Sequence, residues 1–165
     1  MSVTAAEGFR AAGVRAGLKA SGRPDLALVV NDGPLDVAAG VFTTNRIVSA
    51  PVIWSRGVIA GERGGSGSAR AVVLNSGSAN ACTGPRGAAD AAATAERVAG
   101  LLADCGVSVG DVLVCSTGVI GVPIDMPALE EGVASAVRIL SASRRAGHDA
   151  ATAIMTTDTV PKEDA

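Results

Sequence analysis

The sequence predicts an α/β or α+β fold, with β-sheet layers and helices packed on them, and three observations support that class. The front half carries short β-like runs closed by turn residues. The back half switches to helical spacing of its apolar residues, and one more apolar run of strand length lies between two helical stripes. Strand-rich first, then helix, strand and helix, is the order expected when helices are laid on a sheet. At 165 residues the chain has the length of one domain, and neither a repeat of fixed period nor an internal linker divides residues 1–165.

The front runs are 25–31, followed by Asp32-Gly33-Pro34, then 37–43, 50–55 and 70–75, each closed by Asn, Asp, Gly or Ser. Between the last two, residues 61–68 are almost all glycine, serine and charge. A phosphate-binding loop needs Gly-Lys-Ser/Thr opening a helix, whereas Ala69-Arg70 open a strand here, so this segment reads as a flexible surface loop. In the back half, Ala91, Ala95, Val98, Leu102 and Cys105 recur at helical spacing while Asp90, Thr94, Arg97 and Asp104 fall off that stripe. This predicts an amphipathic helix over 87–105, ended by Gly106. Residues 111–116 are a short apolar run bounded by turn chemistry, consistent with a strand covered on both faces. Asp125 stands at a helix start with Pro127 in the first turn, and Leu129, Val133, Val137 and Leu140 form its stripe. A further short helix around 146–155 leads into Thr156.

Composition removes several classes of function. Hydrophobic residues make up 48% and charged residues 18%, so the chain folds rather than serving as a disordered segment. Aromatics are 2%, with no Tyr, which leaves almost nothing on which single-stranded nucleic acid could stack. Fourteen Lys and Arg against sixteen Asp and Glu, without a basic cluster, give no footprint for duplex phosphate, so no nucleic-acid partner is expected. No run reaches the roughly 20 apolar residues of a membrane span, and the N-terminal stretch has no apolar signal-peptide core. A soluble, cytoplasmic protein without membrane contact is expected. Arg10, Arg15, Lys19 and Arg23 leave an organellar leader open as an alternative, against which Glu7 and the early apolar pattern argue. Cys82, Cys105 and Cys115 lack C-x-x-C spacing and read as free thiols, and a single histidine, His148, removes most histidine-based metal sites, so no metal is expected.

Three polar clusters interrupt apolar runs: 75–84, 115–121 and 155–162. Loops of this small, hydroxyl-rich kind converge on ligands at strand ends, and the same residues are also ordinary turn formers. A Ser-His-Asp triad does not assemble from this chain, because His148 lies beside Asp149 on a predicted helix surface. Cys115, on an apolar strand with no base nearby in sequence, reads as packed and inert. What the clusters supply is hydrogen-bond donors. One donor placed at a developing oxyanion is worth about 10²–10³ in rate, or roughly 3–4 kcal/mol. The chain thus reads as part of an active site, with donors present and nucleophile and base absent.

These residues carry a specific resemblance. Gly8-Phe9 with Ala12-Gly13-Val14 and Gly17-Leu18-Lys19, Gly40 to Arg46 with Ala50-Pro51-Val52, Asn75 to Gly84, Ser116 to Gly121, and Ile154 to Thr159 with Pro161-Lys162 occur in order along nearly the whole chain. Together they resemble the α (N-terminal) chain of the glutamate N-acetyltransferase family, also called ornithine acetyltransferase. The resemblance implies the N-terminal part of the aminopeptidase/ornithine acetyltransferase-like fold. It also implies acetyl transfer from N2-acetylornithine to glutamate by a ping-pong route in arginine biosynthesis. The precursor in this family cuts itself between Ala and Thr, and the new N-terminal Thr of the β chain is the nucleophile, its own amine a base. By the same resemblance Thr117, through its hydroxyl, and Gly118, through its backbone N–H, form the oxyanion hole. Thr156 takes a substrate-binding position with Thr157 in reserve, and Asn75, Gly77 and Asn80 shape the pocket, a structural role in the turn remaining open beside it.

Ser78 stands where the family more often has Asn, and the 61–68 loop looks longer than usual. The family continues past Pro161-Lys162 into a Lys-Gly-x-Gly-Met segment and then the cleavage site, and the residues up to Ala165 do not match that motif. The resemblance therefore implies an α chain lacking the segment up to the cleavage site, inactive without its β-chain partner. It further implies an α2β2 assembly and no cofactor, with acetyl-CoA open as a further donor. An apolar, strand-rich front half also predicts an edge that the partner covers, and an isolated chain prone to aggregation. Two other readings stand beside this one: an autoprocessed aminopeptidase with an N-terminal nucleophile, and a non-catalytic module that binds small anions in its Gly/Ser/Thr loops.

Overall fold

The computed structural model describes residues 2–65 and 67–164. Four strands and four helices follow the order β1 (Phe9–Val14), β2 (Leu26–Asn31), α1 (Ala50–Ile59), β3 (Ala71–Ser78), α2 (Gly84–Leu101), β4 (Val112–Val119), α3 (Met126–Ile139) and α4 (Arg144–Ala153). The sheet runs β1-β2-β3-β4. The first three strands pair antiparallel, and β4 joins β3 in parallel after the α2 crossover. Mixed α+β architecture is thus what the change of period in the sequence anticipates.

Side-chain alternation divides the sheet into two faces. Ala12, Leu28, Val73 and Val114 stand in one cross-sheet row and bury against Trp54 and Val58 of α1, Ala95 and Val98 of α2, and Leu129 and Val133 of α3. Each fully buried Val or Leu there is worth about 1.5–3 kcal/mol. The other face of β1 and β2 packs Ala11 and Ala27 against Ala150 and Ala153 of α4. That contact depends on missing side chains: a Cβ on Gly13 would lie 2.0 Å from the Asp149 carbonyl oxygen. The helical stripe Ala91, Ala95, Val98, Leu102 is buried as expected, whereas the helix ends at Leu101, Cys105 is exposed in a separate 3-10 turn closed by left-handed Gly106, and Asp90 and Thr94, expected off the stripe, are buried. Asp125 caps α3 by accepting from the Ala128 N–H at 3.2 Å.

Three expectations need correction. Residues 50–55 are not a strand but open α1, whose buried positions include Pro51, Trp54, Ser55 and Val58, a spacing of 3, 4 and 7 that only a helix turns to one side. Residues 37–43 form no strand; apart from one isolated bridge of Val37 with Ser68, the segment between β2 and α1 is irregular. The strand at 111–116 extends as β4 to Val119 and is covered on one face: Val112 and Val114 are buried, while Cys115 and Thr117 on the other face are exposed. The 61–68 loop is turn and bend at its described residues, Ser66 lying outside them.

The edge of β4 is treated differently along its length. Trp54 Nε1 donates to the Val112 carbonyl at 3.0 Å, and the Ser55 hydroxyl both donates to the Val114 carbonyl (2.7 Å) and accepts from the Val114 N–H (3.0 Å). Helix α1 therefore stands in for a fifth strand along the first half of β4. An unpaired buried backbone group costs about 1–3 kcal/mol, so this capping is what lets an edge strand sit in the core.

Candidate active site

Parallel pairing brings the C-terminal ends of β3 and β4 side by side, where clefts form in sheets of this kind. A cavity of about 590 Å³ opens there, lined by Gly77 and Ser78 of β3, Gly118 of β4, Leu18 and Lys19 of the loop after β1, and Thr156 and Thr157 after α4. Gly77 and Gly118 are register partners with φ of 143° and 129°. A Cβ on Gly118 would lie 2.4 Å from the Gly77 carbonyl carbon, and one on Gly77 would lie 2.6 Å from the Leu18 carbonyl oxygen. Three backbone segments stack here at a separation only glycine permits.

Ladder phase fixes where the Gly118 amide points. Even-numbered Val112 and Val114 turn their backbone polar groups to α1, away from β3, and the register runs unbroken to Val119. Alternation then turns the Gly118 N–H to the same outer edge, where among the described residues no side chain bonds it. Thr117 is exposed one residue earlier, on the uncovered sheet face, and is not part of the cavity lining. Exposed Val119, Ile120 and Val122 follow the pair in sequence.

Thr156 and Thr157 reach the cavity because the end of α4 is tied down. The Ala153 carbonyl accepts from the Ser76 hydroxyl at 2.6 Å and from Lys19 Nζ at 3.2 Å, and Lys19 Nζ also donates to the carbonyls of Met155 (2.5 Å) and Pro24 (2.9 Å). Lys19 itself is placed by Asp25, which is fully buried and accepts the N–H groups of Ala16, Gly17, Leu18 and Lys19 at 2.6–3.1 Å. Desolvation lowers the Lys19 pKa from its ordinary value, with the Asp25 charge opposing. Sequence reading passed over both residues as site components; the one local signal is Gly17, whose φ of 92° marks the turn around the carboxylate.

Asn75 and Asn80 do not line the cavity. Asn75 is buried, donates to the Ser78 carbonyl at 2.9 Å and accepts from the Ser116 hydroxyl at 2.5 Å, which locks β3 to β4 just below Gly77 and Gly118. Asn80 (φ 46°) donates to the Gly87 carbonyl at 2.8 Å and accepts from the Thr83 hydroxyl at 2.7 Å, so it builds the turn into α2. Cys115, expected to be packed, is reached by solvent on the open face, yet partial desolvation by the strand pushes its thiol up, leaving little thiolate at neutral pH. His148 is exposed on α4, 3.0 Å from Glu163, and lies outside this lining. Among the described residues, no group of three or more His, Cys, Asp or Glu is placed to hold a metal ion, and no helix is long and apolar enough to cross a membrane.

The cavity's titratable side chains are committed elsewhere: Lys19 to three carbonyls, Asp125 to the α3 cap. Such a site can polarise and position, but it holds no activated nucleophile of its own.

The chain is 56% identical over 163 residues to the arginine biosynthesis bifunctional protein ArgJ of Mycolicibacterium paratuberculosis, covering 98% of this chain and 39% of that protein. It is 57% identical over 162 residues to the protein of the same name from Streptomyces coelicolor, covering 98% and 40%. The chain thus spans about two fifths of the length of these curated relatives. Its fold matches the crystal structure of ornithine acetyltransferase complexed with ornithine from Mycobacterium tuberculosis, with a TM-score of 0.91 and 54% identity over 96% of this chain and 81% of that one. It matches the arginine biosynthesis bifunctional protein of Bacillus halodurans with a TM-score of 0.84 and 36% identity over 97% and 78%. The ArgJ family model matches residues 10–165, and the chain belongs to the ArgJ family.

Proposed function

We propose that this chain, as a single-domain α-chain portion of a larger self-cleaved enzyme, supplies the oxyanion-stabilising half of an acetyltransferase that moves acetyl from N2-acetylornithine to glutamate in arginine biosynthesis. The observation that carries this reading is the Gly118 N–H, held at the uncapped edge of β4 beside a cavity whose hydroxyls have no base to activate them. An attacking hydroxyl, the N-terminal Thr of a β chain from the same precursor, adds to the acetyl carbonyl carbon. The carbonyl oxygen takes the negative charge and accepts hydrogen bonds from the Gly118 N–H and the Thr117 hydroxyl. Collapse of the tetrahedral adduct breaks the C–N bond, and ornithine leaves with the proton taken from the hydroxyl. Glutamate's amine then attacks the acyl-enzyme ester through the same oxyanion, regenerating the hydroxyl. No cofactor enters this sequence, and acetyl-CoA is a further donor by the same chemistry.

Thr156 and Thr157, across the cavity from Gly118, contact the amino-acid part of the substrate, and Gly77 lets the backbone layers close beneath it. The β chain covers the open β4 edge and exposed Val119, Ile120 and Val122, in a cytoplasmic α2β2 assembly. The test is Thr117→Ala in the complete enzyme, following ornithine release from N2-acetylornithine with glutamate as acceptor. A loss of about 10²–10³ in kcat with KM little changed is expected. Wild-type turnover, or a loss confined to substrate affinity as an anion-binding module predicts, overturns the reading. Release of amino acids from peptides instead of acetyl transfer selects the aminopeptidase.

A further inference from the structure

We propose that Lys19 is a positioning residue of this site: its ammonium sets Thr156 and Thr157 opposite Gly118 and thereby governs substrate binding, not the bond-making step. The inference rests on the reading of this cavity as the acyl-transfer site. An ammonium has three N–H donors, and here all three have acceptors, the carbonyls of Pro24, Ala153 and Met155. Two of these lie at the end of α4, where helix geometry leaves carbonyls without intrahelical partners and the macrodipole favours a cation. Ala153 is the last residue of the helix, Met155 lies two residues beyond it, and Thr156 is the next residue. The direction in which the chain leaves α4 is therefore set from Lys19.

The other end of the device is as firmly built. The Asp25 carboxylate gathers four consecutive amides, from Ala16 to Lys19, so the backbone that carries the lysine is wrapped around a fully buried charge. The same loop contributes the Leu18 carbonyl that lies over Gly77. One loop thus fixes both the roof over the paired glycines and the helix end from which the two threonines follow. Lysine suits this role because a compact point charge on a flexible stem serves three carbonyls spread around it, where a planar guanidinium serves acceptors lying in one plane. With its three protons engaged, Lys19 is not free to ligate a substrate carboxylate although it lines the cavity.

The experiment uses the complete enzyme with Lys19→Met and Lys19→Arg, and Thr117→Ala measured beside them. For Lys19→Met, KM for N2-acetylornithine is expected to rise about tenfold while kcat stays within about threefold. Backbone hydrogen exchange at residues 153–157 is expected to speed up, and Lys19→Arg is expected to fall between wild type and Lys19→Met in both measures. Wild-type KM and unchanged exchange in Lys19→Met overturn the proposal, as does a collapse of kcat with KM intact, which assigns Lys19 to the chemistry. Failure of Lys19→Met to fold assigns it to the scaffold and overturns the proposal equally. If Thr117→Ala retains full turnover, the site reading is what fails. If Thr117→Ala loses turnover while Lys19→Met behaves as wild type, the site reading stands and the role of Lys19 falls.

Discussion

Replacing Gly118 with alanine tests the stacked-backbone site at its tightest point. Two costs add. At φ 129° a Cβ is strained whatever the space around it, a penalty of about 1–3 kcal/mol. The same Cβ would also lie 2.4 Å from both the carbonyl carbon and oxygen of Gly77, and backbone in the middle of a ladder cannot swing aside as a side-chain tip can. Forcing β3 and β4 apart resembles overpacking a core, about 1–3 kcal/mol more. The expected total is about 2–6 kcal/mol. Gly121→Ala is the matched control: its φ is 80°, and a Cβ there meets nothing within 4 Å, so the first cost applies without the second. The assay compares the thermal unfolding of the two variants in the complete enzyme. Gly118→Ala should melt below Gly121→Ala and should also lose turnover, because displacing the strand moves the N–H. Equal melting temperatures would show that Gly77 and Gly118 are not in close contact, and the stacked-backbone account of the cavity floor would be wrong.

Ser55→Ala leaves the N–H and the carbonyl of Val114 both without the partner they now share, at about 1–3 kcal/mol per group, and urea unfolding should show a destabilisation of about 2–6 kcal/mol. Asp90 is 8% exposed, its Oδ2 has no hydrogen-bond partner, and desolvation raises its pKa despite Arg86 at 3.9 Å. Between the ordinary carboxylate pKa and the raised one the folded state binds more protons, so this group's contribution to stability declines as pH rises through that window. Asp90→Asn should remove that decline without lowering stability at neutral pH, as measured by urea midpoints across the acid range.

How far the fold can be read ahead follows from how local each signal is. The stripe Ala91, Ala95, Val98, Leu102 and the Asp125 cap lie within a few turns of one helix, and both appear as written in the pattern. Strand β1 escapes because Ala11, Ala12 and Gly13 have poor β-propensity; Ala11 and Gly13 face α4, which must come close, and smallness rather than branching is what those positions select. The cavity glycines announce themselves in the Ser-Gly and Thr-Gly pairs near the ends of two strands, and Thr156 and Thr157 as a hydroxyl pair after a helix. Lys19 and Asp25 do not, since the lysine's partner at Ala153 is 134 residues away and no short window contains both.

Residues 50–55 are the instructive misreading, because the error and the site share one cause. Val52, Ile53 and Trp54 are strong strand formers, and a six-residue window ends before Val58 completes the helical period. As a strand the segment would have paired along β4 and closed its outer edge from end to end. As a helix it satisfies Val112 and Val114 with two side chains and then diverges, since a helix and a strand advance at about 1.5 and 3.3 Å per residue and cannot stay in register. The uncapped stretch begins where that mismatch leaves off, at Ser116 to Gly118. An edge amide without a ladder partner is a liability in a finished sheet, yet it is the donor an oxyanion needs, and the helical edge cap is what leaves it free.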